Sequence, residues 1–80
     1  MKHEFDAGQF VAEYRRLGGG LVLMPDPADP ACRWFGIIPP RRAAGDEAHT
    51  RASAMRRELA ATPFSEDAVV GELERELRAA

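Results

Sequence analysis

Arginine and aromatic side chains set side by side are what recognition surfaces are built from, and this chain places three in a row: Arg33, Trp34 and Phe35. Neighbours on a strand point to opposite faces, so the three cannot share one core. At least one of them turns to solvent or to a partner. With Ile37, Arg41 and Arg42 they make up the candidate partner-binding set. Arg41 and Arg42, with Arg51, Arg56 and Arg57 further on, also form a candidate nucleic-acid-binding set, because guanidinium groups neutralise phosphates and nearby aromatics offer stacking surfaces. The overall charge opposes that second use. Eleven basic residues against thirteen acidic leave a net charge of -2, where nucleic-acid-binding domains are strongly basic.

Other chemistry finds little footing. His3 and His49 are the only histidines, and neither has His, Cys or carboxylate neighbours at the spacing of a closed tetrahedral metal site. Ser53, Ser65 and Cys32 lack the frame of a nucleophile elbow or a redox CxxC pair. The carboxylates from Glu66 to Glu76 fall on a solvated helix, where acid-base work has no buried site to shift them. Gly18-Gly19-Gly20 has the composition of a phosphate cradle but the reverse topology: it follows a helix and opens a strand, where a cradle follows a strand and opens a helix. Neither enzymatic activity nor a metal or other cofactor is expected.

The elements that position these residues follow from caps and periodicity. Asp6 is a suitable N-cap, Gln9 completes a capping-box pattern, and Phe5 and Phe10 occupy hydrophobic-staple positions. Phe10, Val11, Tyr14 and Leu17 then line one face of a first helix, which Gly18 ends. Leu21 to Met24 and Trp34 to Ile38 read as two short strands of an antiparallel hairpin, joined by the Pro- and Asp-rich link 25–31 and closed off by Pro39-Pro40. Both hairpin faces look apolar: Leu21 and Leu23 point one way and Val22 and Met24 the other, and Phe35 and Ile37 likewise oppose Trp34 and Ile38. Asp46 is expected to cap a second helix with a thin stripe of Ala48, Ala52, Met55 and Leu59. After the break at Thr62-Pro63, Ser65 is expected to cap a third helix, with Phe64 and Val69 as a second staple and Val69, Val70, Leu73 and Leu77 on its apolar side. Gly71 inside that helix costs about 1 kcal/mol of propensity and suggests a close helix contact.

Composition narrows the class. A chain of 80 residues that is 45% hydrophobic and 30% charged is one small domain with little apolar side chain to spare for its surface. No apolar run is long enough to cross a bilayer and the first residues lack a signal-peptide core, so a cytoplasmic protein without a membrane partner is expected. The lone Cys32 fits a reducing compartment and is expected to fill space. Ten of the eleven basic residues are arginine and alanine is abundant, a bias of GC-rich bacterial or phage genomes. Charge is segregated: residues 33–57 hold six basic residues against two acidic, and residues 58–80 two against six. Such blocks either mark interaction surfaces or lie against each other.

The order helix, hairpin, helix resembles the small docking domains at the N-termini of some modular peptide synthetases, from which the long inter-strand link and the extra helix depart. No diagnostic motif is shared and no residue is carried over. The reading as a whole is a single α+β domain over residues 1–80, ordered helix-strand-strand-helix-helix, with the hairpin packed on the first and third helices and the second on the other face or the flank. Its expected function is a non-catalytic protein-binding module that occupies another protein or complex, in the manner of small phage- or plasmid-encoded inhibitors such as anti-CRISPR proteins. A nucleic-acid-binding accessory protein is the alternative. An isolated two-stranded sheet is marginal, so a homodimer through the hairpin edge is a further expectation.

Overall fold

The computed structural model describes residues 5–61 and 64–79. His3, set aside above as a metal ligand, and the Thr62-Pro63 break lie outside the described residues. The chain runs α1 (Ala7–Arg16), β1 (Gly20–Asp26), β2 (Asp29–Ile38), a 3-10 turn (Arg42–Ala44), α2 (Asp46–Ala61) and α3 (Ser65–Ala79), which is the expected α+β order.

Helix α1 starts as its sequence predicts. The Asp6 carboxylate accepts from the Gln9 N–H at 3.0 Å, and the rings of Phe5 and Phe10 meet across the first turn with centroids 5.6 Å apart. The glycine triplet that ends it has a reason at each of two positions. Gly18 adopts φ +95°, open to glycine without strain. Gly19 passes so close to Tyr14 that a Cβ there would overlap the ring, standing 2.6 Å from Cδ2.

The hairpin is longer than expected. Residues 25–31 are not a free link: β1 continues through Pro25 to Asp26 and β2 begins at Asp29, leaving Pro27-Ala28 as the turn. Asp26 Oδ1 accepts from the Ala28 N–H at 2.9 Å and Asp29 Oδ1 from the Ala31 N–H at 3.1 Å, so the aspartates supply the turn's hydrogen bonds. Pairing is antiparallel, with Leu21 opposite Ile37, Leu23 opposite Phe35 and Met24 opposite Trp34. Pro25 faces Arg33 while Asp26 faces Asp29, so residues 30–32 form an irregularity in β2. Cys32 sits there exposed, its thiol donating to Asp29 Oδ2 at 3.2 Å. It fills no space in the core.

All three helices gather on one side of this ribbon. Helix α3 packs across both strands, α1 against β1 and α3, and α2 against α1, α3 and the 3-10 turn. The core joins Phe10, Val11 and Tyr14 of α1, Leu21 of β1, Ala52, Met55 and Leu59 of α2, and Val69 and Leu73 of α3, with Leu23, Phe35 and Ile37 packed against it from the sheet. Tyr14 is its centre: fully buried, stacked on Phe10 at 5.8 Å, its hydroxyl donating to the Ile38 carbonyl at 3.3 Å. Ala52 is fully buried too, so the thin stripe of α2 packs through its alanine. Helix α2 therefore belongs to the helical layer and gives the opposite face of the hairpin no cover.

Five local expectations change. Asp46 lies inside the first turn of α2, and it is the Gly45 carbonyl that accepts from the His49 N–H at 3.2 Å. Ser65 is buried and its hydroxyl donates back to the Leu59 carbonyl at 2.5 Å, tying the start of α3 to α2. Phe64, with φ +66°, is largely exposed and makes no staple with the fully buried Val69. Gly71 has open space where a Cβ would stand, so no helix contact requires it. Leu77, placed by periodicity on the apolar side, is 66% exposed.

Candidate interaction surface

Alternation along the two strands sorts the hairpin into an inner set, Leu21, Leu23, Phe35 and Ile37, and an outer set, Val22, Met24, Trp34 and Ile38. The inner set meets the helices. The outer set meets nothing comparable: Val22 is 44% exposed, Trp34 46% and Ile38 52%. Met24 is partly covered because its methyl group lies over Gly36, where a Cβ would come within 2.8 Å of Cε. Gly36 and Gly20, opposite Val22 and Ile38, keep the face low between the four side chains. The result is an open apolar strip running the length of the paired strands, in a chain with few large apolar groups to spare.

Of the residues expected to bind a partner, Trp34 lies on this strip. Phe35 and Ile37 do not: they turn inward and pack against the core. Both also line a cleft along the free edge of β2, together with Arg33, Trp34, Glu66 and Asp67. Arg41 and Arg42 follow the strip's end, and the Arg41 carbonyl is bonded to His49 Nε2 at 2.8 Å, so that imidazole ties the loop to α2. Val22, Met24 and Ile38 lie outside the expected set, although alternation sets Val22 and Met24 apart from Leu21 and Leu23, and Ile38 apart from Phe35 and Ile37; the register joins them on one face. Knowing that this face is the open one requires knowing where α2 packs.

The arginines of the nucleic-acid set divide. Arg51 bonds Glu13 at 3.2 Å, and Arg56 donates to the Ser53 hydroxyl at 3.3 Å. Among the described residues Arg33, Arg41, Arg42 and Arg57 have no ion pair. The acidic side chains of α3 do not neutralise them: Glu76 bonds Arg15 at 2.5 Å and Glu72 bonds Arg75 at 3.2 Å. The basic and acidic blocks of the sequence thus stay largely separate, and the ion pairs that bridge elements join α1 to α2 and α1 to α3.

No protein-family model, curated protein or solved structure matches this chain.

Reactive groups are few. Among the described residues no three His, Cys, Asp or Glu side chains gather as metal ligands, and no helix is long and apolar enough to cross a membrane. The Cys32 thiol is pushed above its ordinary range, first by its hydrogen bond to Asp29, then by desolvation and by the charge of Asp26. A thiol held protonated is a poor nucleophile at neutral pH. Burial raises the Tyr14 phenol, with Arg56 pulling it partway back, and that group is committed to the core. What the outer hairpin face can do is shed water against another apolar surface, at about 25 cal/mol per Å² of apolar area covered.

Proposed function

We propose that this chain is a non-catalytic protein-binding module that acts by laying the outer face of its hairpin on a partner protein. One observation carries the reading: Val22, Met24, Trp34 and Ile38 share one face of two paired strands, and the helices that pack on the sheet, α1 and α3, lie on the other. Tryptophan is among the residue types most enriched at interface centres. The unpaired Arg33, Arg41 and Arg42 along and beyond β2 favour a partner with carboxylates beside its apolar patch. Occupation of this kind suits a small inhibitor, of the phage- or plasmid-encoded sort, or a regulatory subunit in the cytoplasm.

The nucleic-acid alternative draws support from Arg41, Arg42 and Arg57, which are free to meet phosphates, and loses it from Arg51 and Arg56, which are engaged. A single aromatic on the open face makes a poor stacking platform.

The test uses a photo-crosslinking amino acid at position 38 in cells of the source organism, followed by titration of the purified cross-linked protein. The double variant Ile38→Ser, Trp34→Ala is expected to keep the fold and to weaken that binding by roughly a hundredfold, as loss of an interface centre does. Binding that survives the double variant, or affinity for a single-stranded oligonucleotide that falls steeply with salt and vanishes in Arg41→Ala, Arg42→Ala, would overturn the reading.

A further inference from the structure

The hairpin has two free edges, one on each strand, and each presents unpaired main-chain N–H and C=O groups. They are not equally protected. β2 carries the devices that keep edges apart: Pro30, the irregularity at residues 30–32, and Arg33, beside a cleft shared with Glu66 and Asp67. β1 carries none from Gly20 to Met24, with neither charge nor proline until Pro25 at the tip. Beside it runs a groove lined by Leu21, Val22, Leu23, Leu73 and Leu77. Leu77, 66% exposed, stands at its rim. The two charges that border the groove, Arg15 and Glu76, bond each other at 2.5 Å, so the border is neutral and calls for an apolar, uncharged occupant.

We propose that this occupant is β1 of a second copy, giving a four-stranded antiparallel sheet in the order β2-β1-β1-β2. The chemistry is self-complementary. Antiparallel pairing about Val22 sets Leu21 opposite Leu23 and Gly20 opposite Met24 of the second copy. Inner residues then stay opposite inner ones and outer opposite outer, as a continuous sheet demands. A two-fold axis requires the same patch on both copies, and an uncharged strand with a neutral border meets its own image without repulsion. The charged edge of β2 does not.

Area links the dimer to the outer face. The strip of one hairpin is two strands wide, whereas a standard interface covers roughly 800 Å² per partner. Pairing through β1 joins two strips into one four strands wide. The dimer stands independently of whether the outer face binds a partner, but it would double that face.

Sedimentation velocity over a wide concentration range tests the proposal. The expected result is a concentration-dependent dimer that Leu77→Glu weakens by roughly tenfold or more, because two new carboxylates face the seam. Trp34→Ala is expected to leave it unchanged. In a Cys32→Ser background, Val22→Cys is expected to form a disulfide dimer and Trp34→Cys not to. A protein that stays monomeric at millimolar concentration overturns the proposal. So does a dimer that is lost in Trp34→Ala while Leu77→Glu has no effect, which would mean two outer faces packed on each other. Failure of the partner-binding reading looks different: the dimer persists while no partner depends on Ile38 and Trp34.

Discussion

Three pairs of neighbours on the hairpin, Leu21 and Val22, Phe35 and Trp34, Ile37 and Ile38, are nearly matched in apolar character and opposite in fate. The first of each pair closes the core, and the second is exposed to about half its area. Residue type does not separate them, since a tryptophan lies outside and a phenylalanine within. What separates them is that α1 and α3 press on one side only, so a shift of one residue moves a side chain from packing to water. The inner face thus serves the fold, and the outer face is free for another use.

The sharpest way to break this contrast is to crowd the inner side. Gly19→Ala would drive a methyl group into the Tyr14 ring, which has no room to retreat. A loss of about 3 kcal/mol is expected, the upper part of the range for overpacking. Thermal denaturation would read it as a fall of at least ~12 °C in Tm for a domain of this size. A variant as stable as the parent would mean that Tyr14 is not held as described.

Truncation across one peptide bond comes next. Leu21→Ala is expected to cost about 2–3 kcal/mol, because Leu21 is 8% exposed and its removal leaves a cavity against the helices. Val22→Ala is expected to cost about 0.5 kcal/mol, as surface changes do. Urea unfolding of the two variants side by side measures the difference. Equal losses would show that the outer face is covered in the isolated protein, and the two-sided picture would fail.

Much of this was legible in the residues. Asp6, Phe5 and Phe10 announce α1 and Gly18 its end, and alternation separates Leu21 and Leu23 from Val22 and Met24, and Phe35 and Ile37 from Trp34 and Ile38, while the register that joins them into faces is a property of the folded hairpin. The boundary of the hairpin was not, because Pro25, Pro27 and Pro30 together look like loop. A two-stranded ribbon consists only of edges, where a proline's missing N–H can face solvent without breaking a ladder bond. Ser65 has the sequence neighbours of a local cap, whereas its hydroxyl reaches the carbonyl of Leu59, a contact set by how α2 meets α3. Leu77 fits the helical period of α3, yet the helix runs on beyond what the sheet covers. Periodicity names a face and cannot say how far a partner element extends. The candidate surface meets the same limit: Trp34 stands out by residue type, whereas the exposure of Val22 and Ile38 depends on where the helices pack.

A smaller effect reports on how tightly the sheet is tied to the core. Tyr14→Phe removes the hydrogen bond to the Ile38 carbonyl and should cost about 1 kcal/mol. It should also change the alkaline limb of the stability curve. The folded phenol holds its proton more tightly than the unfolded one. Its contribution is therefore complete below the ordinary tyrosine pKa of about 10 and is lost as pH rises through the higher folded value. As Tyr14 is the only tyrosine, unfolding measured from pH 8 to 11 in a Cys32→Ser background isolates this term. The Phe variant should show a shallower decline, and parallel curves would place the hydroxyl in water.

Gly36→Ala is the outer-face counterpart of Gly19→Ala and is expected to do almost nothing, which is its value. A Cβ at position 36 meets only the methyl end of Met24, at 2.8 Å, a flexible group with solvent on its far side. The side chain can swing away, and the lower chain entropy of alanine in the unfolded state offsets the displacement. The net change should lie within about 0.5 kcal/mol of zero, on the stabilising side if Met24 moves freely. The measurement also discriminates between modes of assembly. If two hairpins packed outer face to outer face, Met24 would be trapped and the same methyl would cost more than about 1 kcal/mol, with a Tm that depends on protein concentration. Pairing through the β1 edge leaves Met24 open to solvent, so a near-zero effect at every concentration is what an open outer face requires.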